Sequence, residues 1–202
     1  MNIALIGASG NVGSRLLQEL SNRGHRVTAI ARDPARIAAL PGVAAVAGDA
    51  DDVDALATQL RGHDAAISAL RFDASDPRRL IDAVQRSAVP RYLVVGGAGS
   101  LEVAPGVALL DAPEFPPEYL EEARAGARFL ELLRQEPTLD WTFLSPSALF
   151  LPGERTGSFR LGRDQLLADA TGSRISYEDY AMAMVDEIER PAHRRQRFTA
   201  GY

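Results

Sequence analysis

Three glycines recur at every third position in Gly7-Ala8-Ser9-Gly10-Asn11-Val12-Gly13, close to the start of the chain. A short apolar run, Asn2–Ile6, leads into them. A helical pattern, Asn11–Arg23, leads out, with Val12, Leu16, Leu17 and Leu20 on one face. In such a strand–turn–helix, Gly7 permits the tight turn and Gly10 lets the backbone approach a ligand. Gly13 lets the helix pack closely on the strand. The free N–H groups and the helix dipole then face an anion, so a pyrophosphate can be held without any lysine. The reading is a dinucleotide site made by Gly7, Ser9, Gly10, Asn11, Val12 and Gly13.

The choice between NAD and NADP turns on the next strand. An NAD site usually places an acid at its end for the ribose 2′-hydroxyl. Here Ala29-Ile30-Ala31 is followed by Arg32, with Arg36 one helical turn on. Two planar guanidinium forks suit a 2′-phosphate, so NADP(H) is preferred and NAD(H) remains possible. The alternative is a pair of surface arginines, one neutralised by Asp33. Further ligand-side candidates follow later strands: Asp49 within Gly48-Asp49-Ala50, then Ala69, Leu70 and Arg71, then Gly96 and Gly97. These are carboxyl ends of strands, where open α/β sheets bind ligands. Asp49 has a second reading as a turn residue.

Composition removes several other chemistries. All 22 positive side chains of the 202-residue chain are arginine; lysine and cysteine are absent. That excludes disulfides, cysteine nucleophiles, thiolate metal centres, Schiff bases and the tyrosine–lysine pair of common dehydrogenases. No metal site is expected, because His25, His63 and His193 share no ligand spacing. The net charge of −5 opposes a nucleic-acid partner. The basic cluster His193–Arg197 reads as a solvated turn. No apolar stretch is long enough to cross a membrane. Met1-Asn2-Ile3-Ala4 lacks the basic region of a signal peptide, so the expected compartment is the cytoplasm. The expected partner is a small-molecule substrate, and the expected state a monomer or homodimer.

The elements that must position these residues alternate regularly. Strands are predicted at Asn2–Ile6, Arg26–Ala31, Val43–Ala47, Asp64–Ala69, Arg91–Val95 and Asp140–Leu144. Between them lie Asn11–Arg23, a short helix opened by Asp33-Pro34, then Asp51–Leu60, Arg78–Ser87 and Glu118–Gln135. Gly96–Pro117 reads as a loop. The expectation is an α/β class fold: one Rossmann-like, doubly wound parallel sheet with helices on both faces and a small C-terminal lid. Residues 1–145 form the nucleotide-binding core of this single domain. Residues 146–202 supply lid and edge elements: strand-like Ser158–Leu161, Ser173–Ile175 and Arg197–Ala200, and the helix Tyr177–Glu189. Ser176 and Asp179 are spaced as a capping box for that helix.

The Gly-x-x-Gly-x-x-Gly spacing resembles the extended and atypical short-chain dehydrogenases/reductases. Arg91-Tyr92-Leu93-Val94-Val95-Gly96-Gly97-Ala98-Gly99-Ser100-Leu101, Asp140-Trp141-Thr142-Phe143-Leu144-Ser145-Pro146 and Pro152-Gly153-Glu154-Arg155-Thr156-Gly157 narrow the match. They resemble the bacterial NADH-flavin reductases of the NAD(P)H-binding, NmrA-like group, over nearly the whole chain. Mammalian biliverdin reductase B, a flavin reductase, is a more distant resemblance, clearest over the first 95 residues. The resemblance implies that Arg32 and Arg36 hold the 2′-phosphate and that adenine lies by Gly48–Ala50. It also implies that Ser145, Pro146 and Ser147 flank the nicotinamide.

The same resemblance maps the usual catalytic serine to Gly97. Ser100 is the nearest substitute. Tyr119 begins the long helix, but position 123 is alanine where the tyrosine–lysine motif needs its cation. Tyr119 is thus a pocket wall, a packing residue or an acid, and Ser147 is a further weak candidate; the catalytic residues stay unassigned. Phe115, Phe150, Phe159 and Trp141 are either ring-stacking walls or core. Glu154–Gly157 is either a pocket mouth or a charged turn. A site with a reduced nicotinamide and no strong acid suits a flavin- or quinone-like acceptor, since a conjugated ring takes hydride while solvent supplies protons. Two other readings remain: a non-catalytic NAD(P)-sensing regulator, and a reductase or epimerase of another small metabolite.

Overall fold

Apolar residues crowd the first strand on both of its faces. In β1 (Asn2–Ile6), Ile3 and Leu5 point into one core while Ala4 and Ile6 point into another. A strand covered on both faces reads as a continuous apolar run and belongs inside a parallel sheet. The computed structural model describes residues 1–202 and builds such a sheet. After β1 come α1 (Asn11–Asn22), β2 (Arg26–Ala31), β3 (Val43–Ala47), α2 (Val53–Leu60), β4 (Ala65–Ser68) and α3 (Pro77–Ser87). Then follow β5 (Tyr92–Val95), β6 (Glu102–Ala104), β7 (Val107–Ala108), α4 (Leu120–Gln135), β8 (Trp141–Pro146) and β9 (Leu149–Leu151). Last are β10 (Arg160–Gly162), β11 (Arg174–Ser176), α5 (Tyr177–Glu189) and β12 (Gln196–Gly201).

Eight strands form the main sheet in the order β10-β12-β8-β5-β4-β1-β2-β3, all parallel except β10 against β12. The chain runs outward from β1 to β3, then restarts at β4 and runs outward the other way. The strand order therefore reverses between β1 and β4, and the crevice for a ligand opens at their carboxyl ends. On one face α1 and α5 bury Leu16, Leu17, Leu20, Tyr180, Met184 and Ile188. On the other, α2, α3 and α4 bury Leu56, Leu60, Leu80, Val84, Phe129 and Leu130. This is the Rossmann-like α/β fold.

Local chemistry sets most boundaries. Asp52, Asp76 and Ser176 cap α2, α3 and α5 with side-chain oxygens. Asp33 caps only a single 3₁₀ turn, Pro34–Arg36. The structure also corrects the sequence reading in four places. The segment expected as a loop, 96–117, contains the hairpin β6–β7. The end of the chain supplies more than an edge: β12 runs inside the sheet between β8 and β10, and α5 packs on α1. The basic cluster is only partly a solvated turn. Arg194 and Arg195 are exposed, but Arg197 is buried and ion-paired to Asp164, and His193 stacks on Phe198 at 4.1 Å. Finally, half of the capping box is redirected. Asp179 N–H donates to Ser176 Oγ (3.0 Å), but the Asp179 carboxylate accepts from Gly157 N–H, Thr156 and Tyr202.

Candidate functional site

The glycine turn lies at the reversal point. Gly7 has φ +84°, a conformation that favours glycine, and its N–H donates to Ile30 O at 2.9 Å. A Cβ on Gly7 would lie 2.6 Å from Ala69 O, and one on Gly13 would lie 2.1 Å from Gly7 O. Both glycines are thus required by close backbone approach. Gly10 differs. Its φ is −75°, open to any residue, and an added Cβ would meet only Gly7 O at 3.3 Å and Ala69 O at 3.8 Å. The backbone conformation does not demand glycine there, and an added side chain would press on the turn only at Gly7 O.

The start of α1 has the chemistry of an anion site. It carries no side-chain cap and no acid in its first turn. Its first intrahelical bond runs from Ser14 N–H to Gly10 O, so the N–H groups of Asn11, Val12 and Gly13 have no protein acceptor. Uncapped donors and an unopposed dipole end have the chemistry that holds a pyrophosphate.

The remaining sequence candidates fall around this point. Arg32 and Arg36 are exposed beyond β2, and neither forms an ion pair. Asp33 does not neutralise them; its carboxylate accepts Ala35 N–H (3.1 Å). Asp49 follows β3, and its Oδ1 accepts Asp51 N–H (3.0 Å), so the turn role is filled while Oδ2 stays free. Ala69 and Leu70 follow β4 and pack against Gly7. Arg71 is exposed and already held by Asp73 at 2.6 and 2.9 Å, which keeps the Asp73 carboxyl below its usual range. Gly96 follows β5, where a Cβ would strike the Phe143 ring at 2.4 Å. Gly97 faces Phe72, and Pro146 ends β8 fully inside the fold.

None of the proton-donor candidates is poised over this crevice with a free hydroxyl held in place. Tyr119 is 61% exposed and makes no side-chain hydrogen bond. Ser100 Oγ accepts from the buried guanidinium of Arg197 (3.2 Å). Ser147 is fully buried and donates to Ala200 O (3.2 Å), so its hydroxyl is a strand link. His25, His63 and His193 bond Glu189, Thr28 and Glu187, and each precedes a strand at the opposite end of the sheet. Trp141 is 3% exposed at the amino end of β8, so it is core and not a wall of the site. Phe150 packs on Tyr177 and Tyr180. Glu154 and Thr156 line a cavity of about 590 Å³ with Leu149, Leu151, Ile175 and Arg174.

The roles of three residues were not legible in sequence. Tyr180, from α5, donates to Leu144 O (2.6 Å) and accepts Gly96 N–H (3.2 Å), clamping the exits of β5 and β8. Burial pushes its phenol pKa far up, so it stays neutral. Arg155 pins the 152–157 segment to α1 through Glu19, at 2.9 Å from both Nε and Nη2. Burial alone would raise the Glu19 carboxyl, but the hydrogen bonds from Arg155 and Arg23 outweigh it and hold it low. Glu122 ties the loop after β4 to α4. Each contact spans 36 residues or more along the chain, beyond the reach of local pattern. No cluster of three or more His, Cys, Asp or Glu side chains is arranged to hold a metal ion, and no helix is long and apolar enough to cross a membrane.

Comparison with known proteins agrees with the fold. A family model described as NAD(P)H-binding matches residues 7–191. The uncharacterized protein YwnB of Bacillus subtilis is 42% identical over 208 residues, spanning 98% of this chain and 97% of its own. A Bacteroides thetaiotaomicron structure titled a "putative epimerase" superposes with a TM-score of 0.94 at 44% identity, over 100% of this chain and 96% of that one. A Streptococcus pneumoniae structure titled a "putative NADH-flavin reductase" gives 0.87 at 36% identity, over 100% and 99%.

Proposed function

The chain belongs to the NAD(P)H-binding family, and from that premise we propose that it is an oxidoreductase that uses NADPH to reduce a conjugated acceptor, a flavin or a quinone. The Streptococcus pneumoniae relative, named for flavin reduction, supports the acceptor class. The observation that carries it is the state of the hydroxyls: Ser100 and Ser147 are tied to the protein frame, and Tyr119 stands in solvent without a partner. Reduction of a ketone needs a proton delivered to a developing alkoxide, and general acid catalysis of that kind contributes roughly 10²–10⁴-fold. A conjugated ring spreads the incoming charge and takes its proton from water.

The bound coenzyme supplies a hydride from its nicotinamide ring. The chain's residues bind and orient it. Asn11, Val12 and Gly13 offer backbone N–H groups to the pyrophosphate, with Gly7, Ser9 and Gly10 shaping the turn. Arg32 and Arg36, both unpaired, suit the 2′-phosphate. Asp49, just after β3, would face the adenosine through its free Oδ2. Ala69, Leu70, Gly96, Gly97 and Pro146 line the carboxyl ends of the central strands. Arg71 joins the site only by exchanging its Asp73 partner for a ligand.

The deciding experiment is stopped-flow oxidation of NADPH against a panel of flavins, quinones and carbonyls. Turnover confined to flavins or quinones is the expected result; turnover of carbonyls alone, or none at all, rejects the reading. The Bacteroides relative's name favours one alternative, epimerisation, which would show as substrate interconversion without net NADPH consumption.

Two variants sharpen the proposal. Arg32→Ala with Arg36→Ala should weaken NADPH far more than NADH. Hydrogen bonds to a charged group contribute roughly 1.5–3 kcal/mol each, so the preference should fall at least about tenfold. Equal losses for both coenzymes would assign the arginines elsewhere. Tyr119→Phe should cost less than about tenfold in kcat, with rates flat around neutral pH. A hundredfold loss, or a bell-shaped profile near pH 7, would instead point to a proton-coupled carbonyl reduction.

A further inference from the structure

The loop between β4 and α3 is fastened by two devices that the coenzyme reading does not use. Glu122, half-buried on α4, accepts Phe72 N–H with Oε1 (2.9 Å) and Asp73 N–H with Oε2 (2.8 Å). One carboxylate thus holds two successive backbone donors from a segment about fifty residues away in sequence. The Phe72 side chain enters a slot beside them. It stacks on Phe143 (6.1 Å, 15°) and meets Phe129 edge-on (6.0 Å, 89°). The slot exists because two positions lack a side chain. A Cβ on Gly126 would lie 2.8 Å from the Phe72 ring, and one on Gly97 would lie 3.3 Å from it.

The residues just before this anchor form a wall of the glycine turn. Ala69 O and Leu70 Cδ2 are the atoms nearest a hypothetical Cβ on Gly7, at 2.6 and 2.9 Å. The loop's path is therefore set at one end by β4 and at the other by Glu122 and Phe72. We infer that Glu122 is a positioning residue: by holding the Phe72 and Asp73 N–H groups, it fixes Ala69 and Leu70 beside the glycine turn and so sets the affinity for the dinucleotide. Gly97 belongs to the same device, since a serine in its place would press on the Phe72 ring and loosen the anchor. The inference rests on the coenzyme reading, but the loop lock itself can be read without any coenzyme.

The test uses Glu122→Gln, which keeps the shape but loses the charge and one acceptor oxygen, and Phe72→Leu, which shrinks the anchor. Hydrogen exchange of the coenzyme-free protein should show the Phe72 and Asp73 amides at least about tenfold faster in Glu122→Gln, since charge-assisted bonds are the strong class. The NADPH dissociation constant should rise by roughly tenfold in both variants. The kcat should stay within about twofold, because the anchor touches no reacting atom. Unchanged exchange overturns the lock. Faster exchange with unchanged NADPH affinity overturns the positioning role, as does a fall in kcat with affinity intact. A wild-type protein that does not bind NADPH rejects the coenzyme reading, and the positioning role with it, while the exchange result still reports the lock.

Discussion

Gly10→Val is expected to abolish NADPH binding and leave the protein folded. The two halves of that result have separate causes. Gly10 has φ −75° and an added side chain would find only Gly7 O, at 3.3 Å, as a near contact. A valine therefore needs Gly7 O to yield by a few tenths of an ångström, which the fold should accept, while its added bulk crowds the α1 N-terminus. That is where the unpartnered N–H groups of Asn11, Val12 and Gly13 converge. Excluding a pyrophosphate removes two or more charge-assisted hydrogen bonds at roughly 1.5–3 kcal/mol each, so affinity should drop by at least about 100-fold. Gly13→Ala is the contrasting control. Its Cβ would lie 2.1 Å from Gly7 O, a backbone atom, so this smaller change should lower the melting temperature as well as the affinity. Fluorescence titration with NADPH and thermal unfolding separate the cases. A Gly10→Val protein that binds NADPH normally would move the coenzyme away from the glycine turn.

The contrast between these glycines also shows what the sequence carried and what it did not. The roles of Gly7 and Gly13 follow from a local motif, since strand, turn and helix are consecutive. The same locality made β1, β2, β3 and α5 legible to their ends, because short apolar runs and the Ser176 cap act within a few residues. The parallel direction of the central strands followed from the βα alternation. What stayed hidden depends on partners far along the chain. Asp179 has capping-box spacing, yet Gly157, Thr156 and Tyr202 claim its carboxylate. Ser100 and Ser147 look like free hydroxyls until Arg197 and Ala200 are placed beside them. Arg197 looks like part of a solvated cluster until β12 carries it inside the sheet. Short strands such as β6 and β7, with little burial, leave almost no periodic signal, so the hairpin passed as loop.

The largest stability effect is expected at the opposite end of the sheet, in Glu187→Ala. Glu187 and Arg91 pair at 2.6 Å with side chains only 3% and 6% exposed. The same carboxylate accepts the N–H groups of Ala192 and His193 and contacts His193 Nδ1 at 2.8 Å. Arg91 has little else: Asp140 at 3.8 Å and Thr142 at 3.1 Å, with its Nε unbonded to any protein atom. Removing one partner of a buried pair leaves the other charge uncompensated and costs roughly 3–5 kcal/mol. For a chain of this length that corresponds to a fall in melting temperature of roughly 10 °C. An exposed pair such as Arg86–Asp54 is screened by solvent and should by contrast contribute little. Replacing both buried partners, as Arg91→Met with Glu187→Met, removes the stranded charge and should recover much of the loss. Recovery should be incomplete, because the Ala192 and His193 N–H groups remain without acceptors. The coenzyme crevice opens at the carboxyl ends of the strands, whereas this cluster joins the starts of β5, β8 and β12. NADPH affinity measured well below the transition should therefore be unchanged. Denaturant unfolding of the single and double variants checks the first part and NADPH titration the second. A single-variant loss below about 1 kcal/mol would mean that Arg91 relaxes to solvent, and that α5 and the turn before β12 are held by apolar packing alone.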